Sequence, residues 1–351
     1  MPRTLHITRS RYPRPAAARV AFCDGGVDAS YRDGVDIELS HWIPNRTPAA
    51  FKAATSTEIA LRFVAAGGHA DVDLVVNNHV DTDGMLSVFT LLHPGAALAH
   101  RSTLVQAAAM GDFHAWGDAD AQHLFQLVAL TRARLEALKA DPQDIYTTVH
   151  GLVQRALDGE RFTETAPGLA ALQAAVDAVD SGRIARTLLA PRLVHHVLAE
   201  PTPDSDTLPP LDSPVCARAA LPPQVRARRD GERLQLLSSP QGAGWRHDLC
   251  WPGHAWAETP GLWRPPGLNA DGGSNHHRLH HPPLDGACAA LNAMECDEGR
   301  WTVARTLGPF EALPGRPFPV VLSFMRDRTP AASALPPATV AAVLTQALRD
   351  T

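Results

Sequence analysis

A largely parallel α/β sheet with flanking helices, followed by a smaller α+β domain, is the fold class this sequence predicts. Three observations carry the prediction. Between residues 19 and 115, short apolar runs that read as strands alternate with stretches that read as helices. Polar, chemistry-bearing residues stand just after the strand runs, where an open parallel sheet binds its ligands. From about residue 230 the pattern shifts to leucine-rich strand runs and four closely spaced tryptophans, Trp245, Trp251, Trp256 and Trp263.

Taken in order, residues 1–18 are basic and proline-containing and read as a lead-in. Arg19 to Cys23 reads as a strand ending at Asp24-Gly25-Gly26, and Val35 to Leu39 as a second ending at Ser40-His41-Trp42. After a loop punctuated by Pro44 and Pro48, Thr55-Ser56-Thr57-Glu58 has the form of a helix start. Asp73 to Val76 is a third strand, leading to His79-Val80-Asp81-Thr82-Asp83-Gly84, where glycine allows a tight turn into a helix. An alanine-rich helix then leads to Gly111-Asp112-Phe113-His114, and helical spacing continues through residues 124–138. Further helices are expected over 144–158, 167–180 and 182–199. The expected layout is a lead-in (1–18), an α/β metal-binding domain (19–125), a helical segment (126–200), a Pro-, Asp- and Ser-rich linker (201–224) and a C-terminal α+β domain (225–351). In that last domain, Leu234 to Leu237 and Val320 to Phe324 are strand candidates, and Val340 to Leu348 a final helix.

Composition narrows the function classes. The 351 residues are 45% hydrophobic with a formal net charge of −5, which supports a sizeable core and argues against broad, nonspecific binding of duplex nucleic acid. No apolar run approaches the roughly 20 residues that span a bilayer, and the N-terminus lacks the apolar core of a secretory signal. Five scattered cysteines form no C-x-x-C pair, which points to reduced thiols and a cytoplasmic protein. Abundant Ala, Arg and Pro fit a GC-rich bacterial genome. No P-loop, dinucleotide fingerprint or serine elbow is present.

The chemistry concentrates at strand ends. One imidazole and two carboxylates alternate at His79, Asp81 and Asp83, and Asp24 and His41 end the two earlier strands. Together with Asp112, these are candidate metal ligands, suited to hard or borderline divalent cations rather than to a thiolate-seeking metal. Asp83 is the expected shared carboxylate between two ions, and Asp83 and His41 are the expected catalytic pair. Two ions would lower the pKa of a bound water and offset charge in a phosphoryl transition state. Ser56 and Thr57 read either as a helix cap or as a phosphate contact through the helix N-terminus. Asn275, His276, His277 and Arg278 form a candidate substrate-binding loop; the alternative is an exposed His-rich loop. Arg226, Arg228 and Arg229 read as a solvated basic face, and Arg316 as a candidate anion contact.

The stretch His79 to Ser87 fits [H/D]-x-D-x-D-G-x-x-S and resembles the first metal-binding motif of the DHH phosphoesterase superfamily. That superfamily includes single-strand exonucleases, oligoribonucleases and cyclic-dinucleotide phosphodiesterases. Asp24-Gly25-Gly26 is similar to its second motif, and Ser40-His41 stands where it has an Asp-His-His triplet. Gly111-Asp112 is similar to its fourth motif. The order differs, since the first-motif segment follows the second and third, and the triplet is reduced to one histidine. The resemblance implies a metal-dependent phosphoesterase using Mn or Mg ions, with two bound at once as an option. Its partner would be a phosphorylated small molecule or a short nucleic acid, with no membrane partner and a homodimer allowed. The alternative is a catalytically inactive DHH-like binding or regulatory protein. A third reading is an unrelated α/β protein whose Asp-rich turn only caps a helix.

Overall fold

The computed structural model describes residues 3–203, 207–270, 277–310 and 312–349. Its contacts divide the chain into two compact units. The first comprises Met1–Leu169, Asp212–Pro214 and Ala257–Gly261; the second comprises Ala170–Leu211, Val215–Trp256 and Leu262–Thr351.

The first unit is built on four parallel strands: β1 (Thr4–Ile7), β2 (Val20–Cys23), β3 (Ile37–Leu39) and, after helix α1 (Ser56–Ala65), β4 (Leu74–Asn77). Their spatial order is β1-β4-β2-β3. The chain thus steps from β2 to β3 on one side, then crosses back over β2 to place β4 on the other. The carboxyl ends of β2 and β4 therefore flank the point where the winding reverses, which is where open parallel sheets form their binding crevice. Alternate residues Val20, Phe22, Leu74 and Val76 share one face, packed by Ala17, Val27 and Tyr31.

Helices α2 (Thr82–Leu92), α3 (Pro94–Ala99), α4 (Arg101–Phe113), α5 (Ala119–Ala137) and α6 (Pro142–Leu157) complete the unit. Thr55 is the N-cap of α1, its hydroxyl accepting from the Glu58 N–H, as its Thr-x-x-Glu spacing leads one to expect. Strand β1 lies within the expected lead-in; four residues among prolines and arginines carry too little pattern to be read as a strand until β4 supplies their hydrogen bonds.

On α6, His150 is buried and its Nε2–H donates to the Met85 carbonyl at 2.9 Å. Burial pulls its pKa down to about 4, against about 6.5 in the unfolded chain. Between these values the unfolded state binds more protons, so this contribution to stability is complete above about pH 6.5 and is lost as pH falls towards 4. His150→Gln keeps an N–H donor without the titration. It is expected to recover on the order of 2–3 kcal/mol of the stability lost at pH 4, measured by urea unfolding at pH 7 and pH 4.

Helix α7 (Ala166–Asp180) precedes the strands of the second unit, β5 (Ala185–Ala190) and β6 (Leu193–Val197). The expected helix over 182–199 is therefore a β-hairpin. Gly182, with φ +79°, follows the end of α7, and Leu193 to Val197 pair in parallel register with Leu234 to Ser238, a partner distant in sequence. Helix α8 (Pro223–Asp230), β7 (Leu234–Gln241), β8 (Gly244–Cys250), β9 (Leu268–Ala270), β10 (His277–Leu279), α9 (Pro282–Met294), β11 (Arg300–Val303), β12 (Thr306–Leu307), β13 (Val320–Arg326), β14 (Thr329–Pro330) and α10 (Pro337–Leu348) follow. The main sheet runs β11-β13-β8-β7-β6-β5, with β14 on β13, and is antiparallel except between β6 and β7. A small sheet has the order β12-β10-β9. The chain is thus mixed α/β, with a purely parallel sheet in its first unit. Among the described residues, no helix is long and apolar enough to cross a membrane.

Candidate metal centre

All six candidate ligands meet in the first unit. Asp24 directly follows β2 in a left-handed conformation, φ +54°, which aspartate tolerates better than most residues. His41 follows β3, and His79, Asp81 and Asp83 lie between β4 and the first turn of α2. Asp112 comes from the last turn of α4. Two groups result, each with donor atoms close enough to hold a metal ion: Asp24, His79 and Asp81; and Asp24, His41 and Asp83. Asp112 joins the second, its Oδ2 standing 3.1 Å from His41 Nε2. The carboxylate common to both groups is Asp24, not Asp83 as the motif alone led one to expect. Side by side, β2 and β4 put Asp24 between the histidines, with His79 Nε2 3.0 Å from its Oδ2 and His41 Nε2 3.6 Å from its Oδ1.

Both imidazoles are oriented the same way. His41 Nδ1 lies 2.6 Å from the Ala54 carbonyl, so Nδ1 carries the proton. His79 Nδ1 lies 2.7 Å from Asn78 Oδ1, and the Asn78 amide nitrogen donates to the Gly26 carbonyl, which fixes the amide's sense. Nε2 of each ring is thereby aimed at carboxylate oxygens: Asp24, Asp83 and Asp112 for His41, and Asp24 and Asp81 for His79. Backbone-fixed and amide-fixed Nδ1–H groups of this kind are how proteins orient metal-binding histidines.

Electrostatics within the cluster reflect the crowding. Burial opposes a charged His41, but Asp112, Asp83 and Asp24 push its pKa up to about 10. Burial likewise opposes charge on His79, and Asp81 and Asp24 hold it well above the usual range. Burial and then the Asp24 charge push Asp83 up to about 6, and burial and Asp83 raise Asp112 strongly. Burial would raise Asp24 too, but the two imidazoliums hold it well below the usual carboxylate range.

Supporting contacts explain the local sequence. Asp81 is the N-cap of α2: its Oδ1 accepts from the Gly84 N–H at 2.8 Å, while its Oδ2 faces His79 at 2.7 Å. The capping reading of this turn thus holds for Oδ1, and Oδ2 is the oxygen left for the ligand reading. The Ser56 and Thr57 N–H groups donate to Asp83 at 2.7 and 2.8 Å, and both residues are fully buried. The helix N-terminus read as a phosphate contact therefore holds the Asp83 carboxylate instead. Asp212 Oδ2 accepts from the Thr82 N–H and lies 3.0 Å from Arg132 Nε. Burial pushes Asp212 up to about 7. Its position in a proline-rich stretch gave no local signal of this role. Trp42 donates its indole N–H to Asp24 Oδ1 at 2.7 Å, a contact the sequence marked only by the tryptophan beside His41.

Gly25 is needed where it stands. It has φ +63°, and a Cβ there would lie 2.5 Å from Asn78 Oδ1, the atom that orients His79. Gly25→Ala is expected to destabilise the chain by roughly 1–2 kcal/mol and to weaken cation binding by the His79 group. Thermal unfolding and Mn²⁺ titration of the variant check both.

The C-terminal candidates separate. Asn275 and His276 lie outside the described residues. His277 is buried, bonded through Nε2 to the Trp256 carbonyl at 2.6 Å, which suits packing rather than ligand capture. Arg278 is exposed on β10. Arg226 is buried and donates to Gln235 and to the Thr207 carbonyl, so the basic run is not one solvated face. Arg316, read as an anion contact, is fully buried against Asp248.

No curated protein and no solved structure matches the chain. Residues 13–187, the stretch that holds all six ligand candidates, match the model of a family described as a family of unknown function, DUF6687, and it is to that family that this part of the chain is similar.

Proposed function

We propose that this chain is a metal-dependent phosphoesterase of DHH-like type, acting on a phosphodiester or phosphoanhydride of the nucleotide or oligonucleotide class. One observation carries the reading: a buried His41 and a partly exposed His79, each with Nδ1–H anchored on a carbonyl oxygen, aim Nε2 at carboxylates that share Asp24. Two imidazole nitrogens and four carboxylates suit Mn²⁺, with Mg²⁺ the harder alternative. His79, Asp81 and Asp24 would hold one ion, and His41, Asp83 and Asp112 the other, with Asp24 Oδ1 beside it. When bound, such ions polarise a phosphoryl group and acidify water. The chain's own part is positional. The α1 N-terminus fixes both Asp83 oxygens, Ala54 and Asn78 fix the rings, and burial excludes bulk water from the His41 side. His79 and Asp81 keep partial exposure, 25% and 17% of their side chains, so a substrate would approach from their side. The layout that goes with this reading is an α/β metal-binding domain followed by an α+β domain.

Mn²⁺ binding and hydrolysis of short oligonucleotides, cyclic dinucleotides and pyrophosphate test it, with Asp83→Ala as control. The variant is expected to lose activity by at least about 100-fold. Unchanged metal binding and activity in that variant would sink the assignment.

The reduced triplet favours a second reading, a binding or regulatory protein without catalysis, because Ser40 and Trp42 flank a single histidine. A Mn²⁺-loaded protein that is inert towards all three substrate classes would select it.

A further inference from the structure

The two oxygens of Asp24 stand in different environments. Oδ1 accepts from the Trp42 indole N–H at 2.7 Å and from the Ser56 hydroxyl at 2.8 Å. A carboxylate oxygen has two lone-pair directions, and these donors fill both. Oδ2 is buried and lies 3.0 Å from His79 Nε2. The carboxylate is therefore pinned at one end and presents its other end to His79 and Asp81.

We propose that Trp42 is a positioning residue for the cation held by His79, Asp81 and Asp24. Its indole N–H, together with the Ser56 hydroxyl, anchors Oδ1 and turns Oδ2 towards that group. This rests on the reading of the cluster as a metal centre. A consequence is that the two groups use Asp24 unequally. The His79 group receives Oδ2 ready-placed. The His41 group depends first on His41, Asp83 and Asp112, because Oδ1 is occupied. The Trp42 ring also packs edge-on against His79, with centroids 5.4 Å apart, so packing and hydrogen bonding must be separated by experiment.

Trp42→Phe keeps an aromatic ring and removes the donor. Calorimetric titration of the full chain with Mn²⁺ reads the result, and His79→Ala assigns which binding step belongs to the His79 group. In Trp42→Phe that step is expected to weaken about tenfold, the size of a lost hydrogen bond to a charged group. The other step should stay within about threefold and the melting temperature nearly unchanged. Ser56→Ala removes the second donor, keeps the backbone N–H to Asp83, and is expected to weaken the same step; it carries the test if Trp42→Phe does not fold. In the wild-type chain, the indole ¹⁵N–H resonance absent from the spectrum of Trp42→Phe, or of Trp42→Tyr should the phenylalanine variant not fold, should shift on adding Mg²⁺. If wild type binds Mn²⁺ and both donor variants bind it within twofold of wild type at both steps, the positioning role is wrong while the metal centre stands. If wild type binds no Mn²⁺, the metal reading fails and this role with it.

Discussion

Asp24→Asn is expected to weaken Mn²⁺ binding at the His79 group by at least about 100-fold, the upper range seen when only an outer partner of a metal site is lost, and to weaken it less at the His41 group, where Oδ1 already accepts two hydrogen bonds. Asp24 is the one carboxylate common to the two groups, and its substitution leaves both Nε2 atoms facing an amide in place of a charge. Differential scanning with and without Mn²⁺ provides the measurement. A ligand present at about 100 times its Kd stabilises the folded state by about 2.7 kcal/mol, and the melting temperature of wild type should rise accordingly. The rise should be much smaller in Asp24→Asn. Asp81→Asn is the contrast, since Asp81 belongs to one group only and its loss should spare binding by the other. An equal Mn²⁺ response in wild type and Asp24→Asn would remove Asp24 from the site.

Arg316→Ala is expected to produce the largest loss of stability in the second unit, about 3–5 kcal/mol. The Arg316 side chain is fully buried, its Nε donating to Asp248 Oδ1 at 2.9 Å and a terminal nitrogen pairing with Oδ2. The strands β8 and β13 pair next to this contact, with Asp248 opposite Ser323. Truncating the arginine leaves the Asp248 carboxylate buried without its charged partner, and that uncompensated charge, more than the lost contact, sets the cost. Urea unfolding followed by tryptophan fluorescence measures it. A change below about 1 kcal/mol would place Arg316 among ordinary surface arginines. A double variant, Arg316→Met with Asp248→Leu, should recover much of the loss, because removing both charges together removes the orphan.

Local signals carried much of the first unit. Apolar runs ending at Asp24, near His41 and before His79 do end strands, since burial on both faces of a parallel sheet demands such runs. The Thr55-x-x-Glu58 spacing did start a helix. Where the reading failed, the deciding partner was distant in sequence. Residues 193–197 are a strand because β7 offers a ladder some 40 positions on. Thr4–Ile7 is a strand because β4 offers one some 70 positions on. Asp212 reaches the Thr82 N–H across 130 residues, a contact with no local imprint.

By itself, the sequence determined which residues could do the chemistry: imidazoles and carboxylates placed just past strand ends, with an Asp-Thr-Asp-Gly turn able to cap a helix. These follow from side-chain identity and local backbone preference, both of which are written residue by residue. Only the tertiary structure decided how those residues divide the work. Pairing β2 beside β4 makes Asp24 the shared carboxylate, and docking α1 against the α2 turn gives its N–H groups to Asp83 rather than to a ligand. Distances between side chains from different strands depend on the order in which those strands pair, and that order is set by the burial of the whole sheet rather than by any one segment of it.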